Sequence, residues 1–308
     1  MTTVALLSHS VDLDFLRPLL LAADPSLDIA TWPDPRCLEA EVAVCWNAPP
    51  GVYAQMPRLK LVHSIAAGVD NVVAGQDLRE LPVCRVVDPM LAEGMLQFVL
   101  WGVLHFHRQL DAALASQRAK QWKRPLQTPA SACRVGLMGM GELGGHIAAR
   151  LPLLGYPVSG WARTPREIAG MTVFSGDDSY EDFLAQTDVL VCLLPLTAQT
   201  RGILCERTFS ALPRGAALIH CGRGEHLVEA DLIAALGSGQ LRGAIVDVFE
   251  NEPLPPDHPL WTTPGVVVTP HMATMATFDV VARQVVRNIA QLRENGPFFN
   301  QVDTARGY

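Results

Sequence analysis

Three segments of the chain set reactive groups beside turn-forming residues. "LIHCGRGEHL" (218–227) places Arg223 between two glycines, "VDVFENEPLP" (246–255) places Glu252 in a turn closed by Pro253, and "VVVTPHMAT" (266–274) places His271 after an apolar run and a proline. Together they offer a fixed cation, a carboxylate and an imidazole that exchanges protons near neutral pH. Each follows a β-rich run, and the C-terminal ends of strands are where open α/β sheets bind ligands. Taken singly, an Arg between glycines is an ordinary surface turn residue, a Glu beside Pro is ordinarily solvated, and a lone His after Pro is ordinarily structural. Their order behind a nucleotide loop gives the three a common meaning.

That loop lies in "CRVGLMGMGELGGHIAARL" (133–151). An apolar strand runs into Gly139-x-Gly141-x-x-Gly144, and a helical pattern with Leu143, Ile147 and Leu151 follows. Gly139 permits the tight turn, Gly141 lets a pyrophosphate approach the backbone, and Gly144 lets the helix pack close to the strand. The helix N-terminus offers N–H groups to phosphates, so Gly139, Met140, Gly141, Glu142, Leu143 and Gly144 are candidate cofactor residues. A glycine-rich turn without ligand is the alternative, but the strand and helix flank the motif as a dinucleotide site requires. The next strand ends in "GWARTPR" (160–166). An acid at Ala162 would bind the ribose hydroxyls of NAD and repel a 2′-phosphate. Ala162 removes that repulsion. Arg163 can fork onto phosphate oxygens and stack on adenine, Thr164 adds a hydroxyl and Arg166 a second charge. The expected cofactor is NADP(H), with NAD(H) used at lower efficiency; the alternative is a solvated, Pro-containing turn.

The elements that must position these groups alternate short β-rich runs with helix-length segments, the pattern of parallel sheets covered by helices. Strands are expected at Val4–Ser8, Glu41–Trp46, Leu61–Ile65 and Cys84–Val87, then near 133–138, 157–161, 171–175, 188–193, 216–221, 243–247 and 266–269. A long helix is expected from Leu91 to about Ala119, a loop or arm over 120–132, and a last helix from about Met275 to Glu294. Only the second series has a phosphate loop, so the 308 residues read as two unlike domains. A net charge of −7 gives no electrostatic reason to expect nucleic acid or an anionic membrane as partner. The seven cysteines are scattered without CxxC, which reads as buried free thiols, and no pair has the spacing of zinc ligands. The N-terminus reads as a first strand, not a signal peptide. The apolar stretch 94–107 is too short to span a bilayer and reads as a buried helix. A soluble, cytoplasmic protein is expected.

In family order the chain carries "AAGVDN" (66–71), "GMGELG" (139–144), "GRG" (222–224), "DVFENEPLP" (247–255) and "TPH" (269–271). On these motifs it resembles the D-isomer-specific 2-hydroxyacid dehydrogenases over essentially its full length. Through "VCWNAPP" (44–50), "DVFENEPLPPDHPLW" (247–261) and "QVDTARGY" (301–308) it resembles more narrowly their glyoxylate/hydroxypyruvate reductase A branch. The resemblance implies two doubly wound parallel-sheet domains: a flavodoxin-like substrate domain over 1–98, completed by 275–308, and an inserted Rossmann cofactor domain over 99–274. It implies that the cleft between them holds nicotinamide and substrate, closing to exclude water. The implied reaction is reduction of glyoxylate to glycolate or hydroxypyruvate to D-glycerate with NADPH. Arg223 would then bind the substrate carboxylate and polarise the carbonyl, His271 would act as general acid, and Glu252 would orient the imidazole and favour its protonated form. The N–H groups of Ala67, Gly68 and Val69 would complete the carboxylate site, and Trp46, otherwise a core residue, would line the pocket. Leu194, Pro195, Cys221, Gly222, Asp247 and His271 would complete the cofactor surface.

Many family members have Asn-x-Ala-Arg-Gly where this chain has His220-Cys221-Gly222-Arg223-Gly224. No chemistry is assigned to His220 or Cys221, and His220 is expected to be structural or cofactor-adjacent. Met90 and Met95 are expected to pack, and His105 and His107 to lie in a core or interface. A homodimer through the cofactor domain is expected, using helix 94–107 and the arm. Other readings remain open: a D-lactate-type dehydrogenase for bulkier 2-oxo acids, formate or phosphite dehydrogenase chemistry on the same scaffold, and a nicotinamide-sensing corepressor-like protein.

Overall fold

A computed structural model describes residues 2–304 except 74, 79, 166 and 169. The chain divides into two compact units, Met1–Met90 with Met275–Tyr308, and Leu91–Thr274. The division falls at the start of the helix Pro89–His107, not within it at 98/99 as the sequence suggested. No helix among the described residues is long and apolar enough to cross a membrane.

The first unit is built on β1 (Thr3–Leu7), β2 (Asp28–Thr31), β3 (Val42–Cys45), β4 (Leu61–Ser64) and β5 (Val83–Cys84), all parallel, in the order β2-β1-β3-β4-β5. This is the flavodoxin-like order, whose strand ends gather at one edge. β3 and β4 are buried throughout, as strands covered on both faces must be. β2 was not expected from the sequence. The helix Phe278–Glu294 belongs to this unit: the Gln284 side chain accepts from Val87 N at 3.1 Å and donates to Val87 O at 2.7 Å.

The second unit holds β6 (Val135–Met138), β7 (Val158–Ala162), β8 (Thr172–Ser175), β9 (Val189–Cys192), β10 (Ala216–His220), β11 (Leu241–Val246) and β12 (Val266–Val268). They form one parallel sheet in the order β12-β11-β10-β9-β6-β7-β8. The chain winds outward from β6 to β8, then crosses back to β9 and winds the other way. The crevice beyond β6 and β9 is therefore the switch point where such sheets bind dinucleotides. All seven strands lie where apolar runs placed them. One core, with Leu190, Leu218 and Val246, covers one face, and a second, with Leu137, Val191 and Ile219, covers the other.

The helix Pro89–His107 lies against this sheet. A Cβ on Gly102 would stand 2.6 Å from Ile219, so the absence of a side chain there sets the close approach. Met95, Val99, Val103 and Phe106 are buried in the second core, whereas Trp101 and Leu104 remain exposed. The long helix expected to Ala119 is instead broken at Gln109, which adopts φ 55° before a separate helix Leu110–Arg118. His107 bonds Tyr156 Oη at 3.0 Å and the Thr128 carbonyl at 2.9 Å, fastening the arm to the unit. All seven cysteines are free, and all but Cys205 are buried.

Candidate active site

The phosphate loop separates what the protein requires from what a ligand requires. A Cβ on Gly139, which has φ 104°, would meet Leu193 O at 2.7 Å, and one on Gly144 would overlap the Gly139 carbonyl oxygen. Both glycines are demanded by packing at the β6/β9 crevice. A Cβ on Gly141 would meet nothing within 4 Å, so no protein atom explains that glycine. It leaves a backbone cradle at the N-cap of the helix Glu142–Arg150, open to the close approach of a pyrophosphate. The residues present therefore fit a dinucleotide. Met140 is buried against β7, where it explains Gly160: a Cβ there would stand 2.6 Å from the Met140 sulfur.

β7 ends at Ala162, and its carbonyl accepts Gly176 N at 3.2 Å. Trp161 is buried and donates through Nε1 to Gly176 O at 3.0 Å, which fixes the strand end. Arg163 and Thr164 follow at once and are exposed. Arg166 lies outside the described residues.

The reactive trio sits on loops after β10, β11 and β12. His271 Nδ1 and Glu252 Oε2 are 2.8 Å apart. The carboxylate can only accept, so Nδ1 carries the proton and Nε2 is the atom available for proton exchange. Glu252 Oε1 accepts Phe249 N at 2.9 Å, which orients the carboxylate. Partial burial raises the pKa of Glu252, but the bonds from His271 and Phe249 N–H, with the positive charges of His271 and Arg223, outweigh it and hold the carboxyl below its ordinary range. His271 itself has φ 51°, a left-handed conformation uncommon for a residue with a side chain.

Asp247, directly after β11, holds that conformation. Its carbonyl accepts His271 N at 2.8 Å, Oδ1 accepts Thr269 Oγ1 at 2.6 Å and Met272 N at 2.9 Å, and Oδ2 accepts Ala273 N at 2.9 Å. Asp247 is buried, so its carboxylate serves the His271 loop. Leu194 and Cys221 are likewise buried, one on each face of the sheet. Pro195 turns its carbonyl to Thr200 Oγ1 at 2.8 Å and to His226 Nε2 at 3.3 Å.

Arg223 sits between two glycines for steric reasons. A Cβ on Gly224 would fall on the backbone of Phe249 and Glu250, and one on Gly222 would stand 2.7 Å from His226 Nδ1. The arginine loop is thus pressed against the segment that carries Glu252. His226 escaped the sequence reading. Its signal was a histidine three residues beyond Arg223, and that ring is fully buried beside the partly buried Arg223 and Glu225.

In the first unit, Ala66–Val69 form the turn after β4. The Ala66 carbonyl accepts Val86 N at 2.9 Å, the Gly68 carbonyl accepts Ser64 Oγ at 2.8 Å, and the Ala67 carbonyl lies 3.5 Å from Arg85 Nη1. In a trans peptide the N–H points opposite to the preceding C=O. With these three carbonyls bonded within the unit, the N–H groups of Ala67, Gly68 and Val69 lie on the opposite sides of their peptides. Trp46 follows β3 directly and is half-buried, with its N–H bonded to Leu7 O at 3.2 Å.

The chain is similar to known proteins over most of its length. Residues 100–273 match the D-isomer specific 2-hydroxyacid dehydrogenase NAD binding domain. Glyoxylate/hydroxypyruvate reductase A of Yersinia enterocolitica is 35% identical over 291 residues, covering 92% of this chain and 93% of that protein. A D-isomer specific 2-hydroxyacid dehydrogenase family protein from Klebsiella pneumoniae superposes with a TM-score of 0.92 at 44% identity, covering 98% and 97% of the two chains. The NADPH-dependent glyoxylate/hydroxypyruvate reductase of Sinorhizobium meliloti, crystallised with NADP and sulfate, superposes over 100% of both chains with a TM-score of 0.90 at 35% identity. With the glycine cradle at the switch point and the Arg, Glu and His loops on the same sheet, the chain belongs to the D-isomer-specific 2-hydroxyacid dehydrogenase family.

Proposed function

We propose that this chain reduces small 2-oxo acids with NADPH, glyoxylate to glycolate and hydroxypyruvate to D-glycerate. The observation that carries the proposal is the Glu252–His271 pair at 2.8 Å, held on the sheet edge that also bears Arg223 and the Gly141 cradle. In this reading Arg223 binds the substrate carboxylate through its planar fork and polarises the carbonyl. The N–H groups of Ala67, Gly68 and Val69 complete the carboxylate site. NADPH, held along residues 139–144 and at Arg163 and Thr164, supplies the hydride. His271 gives the ketone oxygen a proton from Nε2, and Glu252 stabilises the imidazole in its charged form. In the oxidative direction His271 takes that proton back. Trp46 narrows the pocket toward small substrates. The names of the Yersinia and Sinorhizobium proteins support the choice of substrate and cofactor.

Steady-state kinetics with NADPH and NADH against glyoxylate, hydroxypyruvate, pyruvate and bulkier 2-oxo acids test the reading. The highest kcat/KM is expected for glyoxylate or hydroxypyruvate with NADPH. A preference for a bulkier acid, or no turnover with any, overturns it.

We also propose a homodimer formed through the cofactor unit. Trp101, Leu104, Leu110 and Leu114 on the two helices, with Trp122 and Leu126 on the arm, leave apolar side chains exposed, a surface suited to a second copy. Light scattering is expected to give twice the chain mass of 33.4 kDa; the monomer mass at micromolar concentration defeats the proposal.

A further inference from the structure

Both backbone groups of Arg223 are held by imidazoles. His220, the last residue of β10, meets the Arg223 carbonyl through Nε2 at 2.9 Å, and the Arg223 N–H meets His226 Nδ1 at 2.9 Å. A carbonyl only accepts and an amide N–H only donates, so His220 carries its proton on Nε2 and His226 keeps a lone pair on Nδ1. His226 then donates from Nε2 to the Pro195 carbonyl at 3.3 Å. Both rings are fully buried, and they meet edge to face with centroids 5.8 Å apart. Gly222 leaves room for His226, and Gly224 leaves room for the backbone of Phe249 and Glu250. Of the Gly-Arg-Gly triplet only the arginine has a side chain, and that residue is tied at both its N–H and its carbonyl.

We propose that His220 and His226 are a pair of positioning residues that fix the backbone of Arg223 and so aim its guanidinium at the substrate carboxylate. The proposal rests on the role given to Arg223 above. Neutral rings suit the task, because a second charge beside a buried arginine backbone would repel the guanidinium. Burial, with the neighbouring His226, pushes the His220 pKa down to about 3. The arrangement has a cost: His220 Nδ1 is buried with no hydrogen-bond partner. An unpaired buried acceptor is disfavoured, and its retention fits a ring held for what its other nitrogen does. Cys192 Sγ joins the two rings in a group whose ligand atoms lie within 4.8 Å of one another, close enough for a metal ion. An ion would need either the lone pair that His226 offers Arg223 or the proton it gives Pro195, and losing that proton moves hydrogen onto Nδ1. Ion and clamp therefore exclude each other.

The test compares His226→Leu and His220→Leu with His226→Asn, which keeps an acceptor near the Nδ1 position, and His220→Gln, which keeps a donor near the Nε2 position. Arg223→Ala is the control for the substrate reading. The leucine variants are expected to raise the KM for glyoxylate about tenfold, while the KM for NADPH stays within about twofold, and the Asn and Gln variants are expected to recover most of the loss. An unchanged glyoxylate KM in the leucine variants, an equal rise in both KM values, or no recovery by Asn and Gln overturns the clamp. If Arg223→Ala leaves the glyoxylate KM unchanged, the substrate reading fails, and the clamp is then judged by nitrogen NMR of the wild-type holoenzyme. Both histidines are expected there as neutral Nε2–H tautomers, a measurement that also stands if the leucine variants do not fold. The opposite tautomer at either ring, or one equivalent of zinc in the purified protein, overturns the clamp.

Discussion

Two regions at the C-terminal edge of one sheet are built in opposite ways. Behind β10, β11 and β12 the loops are tied from several directions: both backbone groups of Arg223 are bonded to histidines, and Asp247 holds Thr269, His271, Met272 and Ala273. Behind β7 the chain is anchored by buried Trp161 and then runs out exposed through Arg163 and Thr164. Groups that must meet a reacting atom gain from being pre-positioned, since small misplacements cost rate heavily. A group that only distinguishes two cofactors can sit on a surface loop, where substitution leaves the fold intact.

The contrast is broken most directly at the tied end. Arg223→Ala and His271→Ala are each expected to lower kcat/KM for glyoxylate by about 10²-fold or more, the usual worth of charge anchoring and of general acid catalysis. Near wild-type turnover in either variant, with the fold intact by circular dichroism, removes that residue from the chemistry.

The phosphate loop holds both kinds of constraint within six residues. In Gly144→Ala the new methyl would overlap the Gly139 carbonyl, so an overpacking loss of about 1–3 kcal/mol is expected, read as a drop of several degrees in Tm. Gly141→Ala meets no protein atom, so Tm is expected to hold while the KM for NADPH rises. Similar Tm losses in both variants would show that Gly141 also serves the fold.

What the sequence made legible follows the same division. In the second unit β6, β9 and β10 were readable because strands buried on both faces appear as continuous apolar runs, whereas the partly buried β7, β8 and β12 were placed by the alternation of β-rich runs with helix-length segments. β2 was missed: it is a four-residue edge strand that begins with Asp28, too short and too polar at its ends to signal itself. The break at Gln109 carries no glycine or proline, so helical periodicity ran straight through it. Of the site, the residues proposed to face a ligand announced themselves by type and position: Gly141 within its glycine motif, an arginine between glycines, a histidine after proline. Of those that hold them, Glu252 was named as orienting His271 and Asp247 was named for the cofactor surface, but Asp247's hold on the His271 loop and the part of His226 were not read. Asp247 bonds partners 22–26 residues away, and His226 acts through a turn whose geometry only the fold supplies. An acid closing an apolar strand, as Asp247 does, was the one available hint, because a buried carboxylate must find donors.

The exposed end is sharpened by cofactor choice. NADPH is expected to exceed NADH in kcat/KM by at least about tenfold, or 1.4 kcal/mol. Arg163→Ala is expected to erode that ratio chiefly through the KM for NADPH, and to leave Tm nearly unchanged, as exposed substitutions do. Equal use of both cofactors by the wild type, or an unchanged ratio in the variant, defeats the assignment. A clear loss of Tm would instead make Arg163 part of the fold.

The smallest effect expected concerns Glu252, which belongs to the tied end yet remains partly exposed. Its carboxyl is held below its ordinary value of 4.5. A depressed pKa in the folded state means that the stabilisation is fully present above the unfolded value and is lost as pH falls through the folded one. Glu252→Gln keeps an oxygen that can accept from His271 or Phe249 but removes the charge. At pH 7 the variant is expected to be less stable than the wild type by on the order of 1 kcal/mol, the scale of a half-exposed ion pair. The gap should narrow as pH falls below about 4.5 and the wild-type carboxylate itself takes up a proton. Turnover should fall by less than in His271→Ala, because the variant keeps an oxygen that can accept from Nδ1 and the imidazole itself remains. Thermal melts of both proteins between pH 3 and 7 check the first expectation, and steady-state turnover of the two variants checks the second. A gap that stays constant with pH would assign Glu252's contribution to its hydrogen-bond geometry alone, and a loss of turnover as large as that of His271→Ala would show that His271 cannot act without the carboxylate.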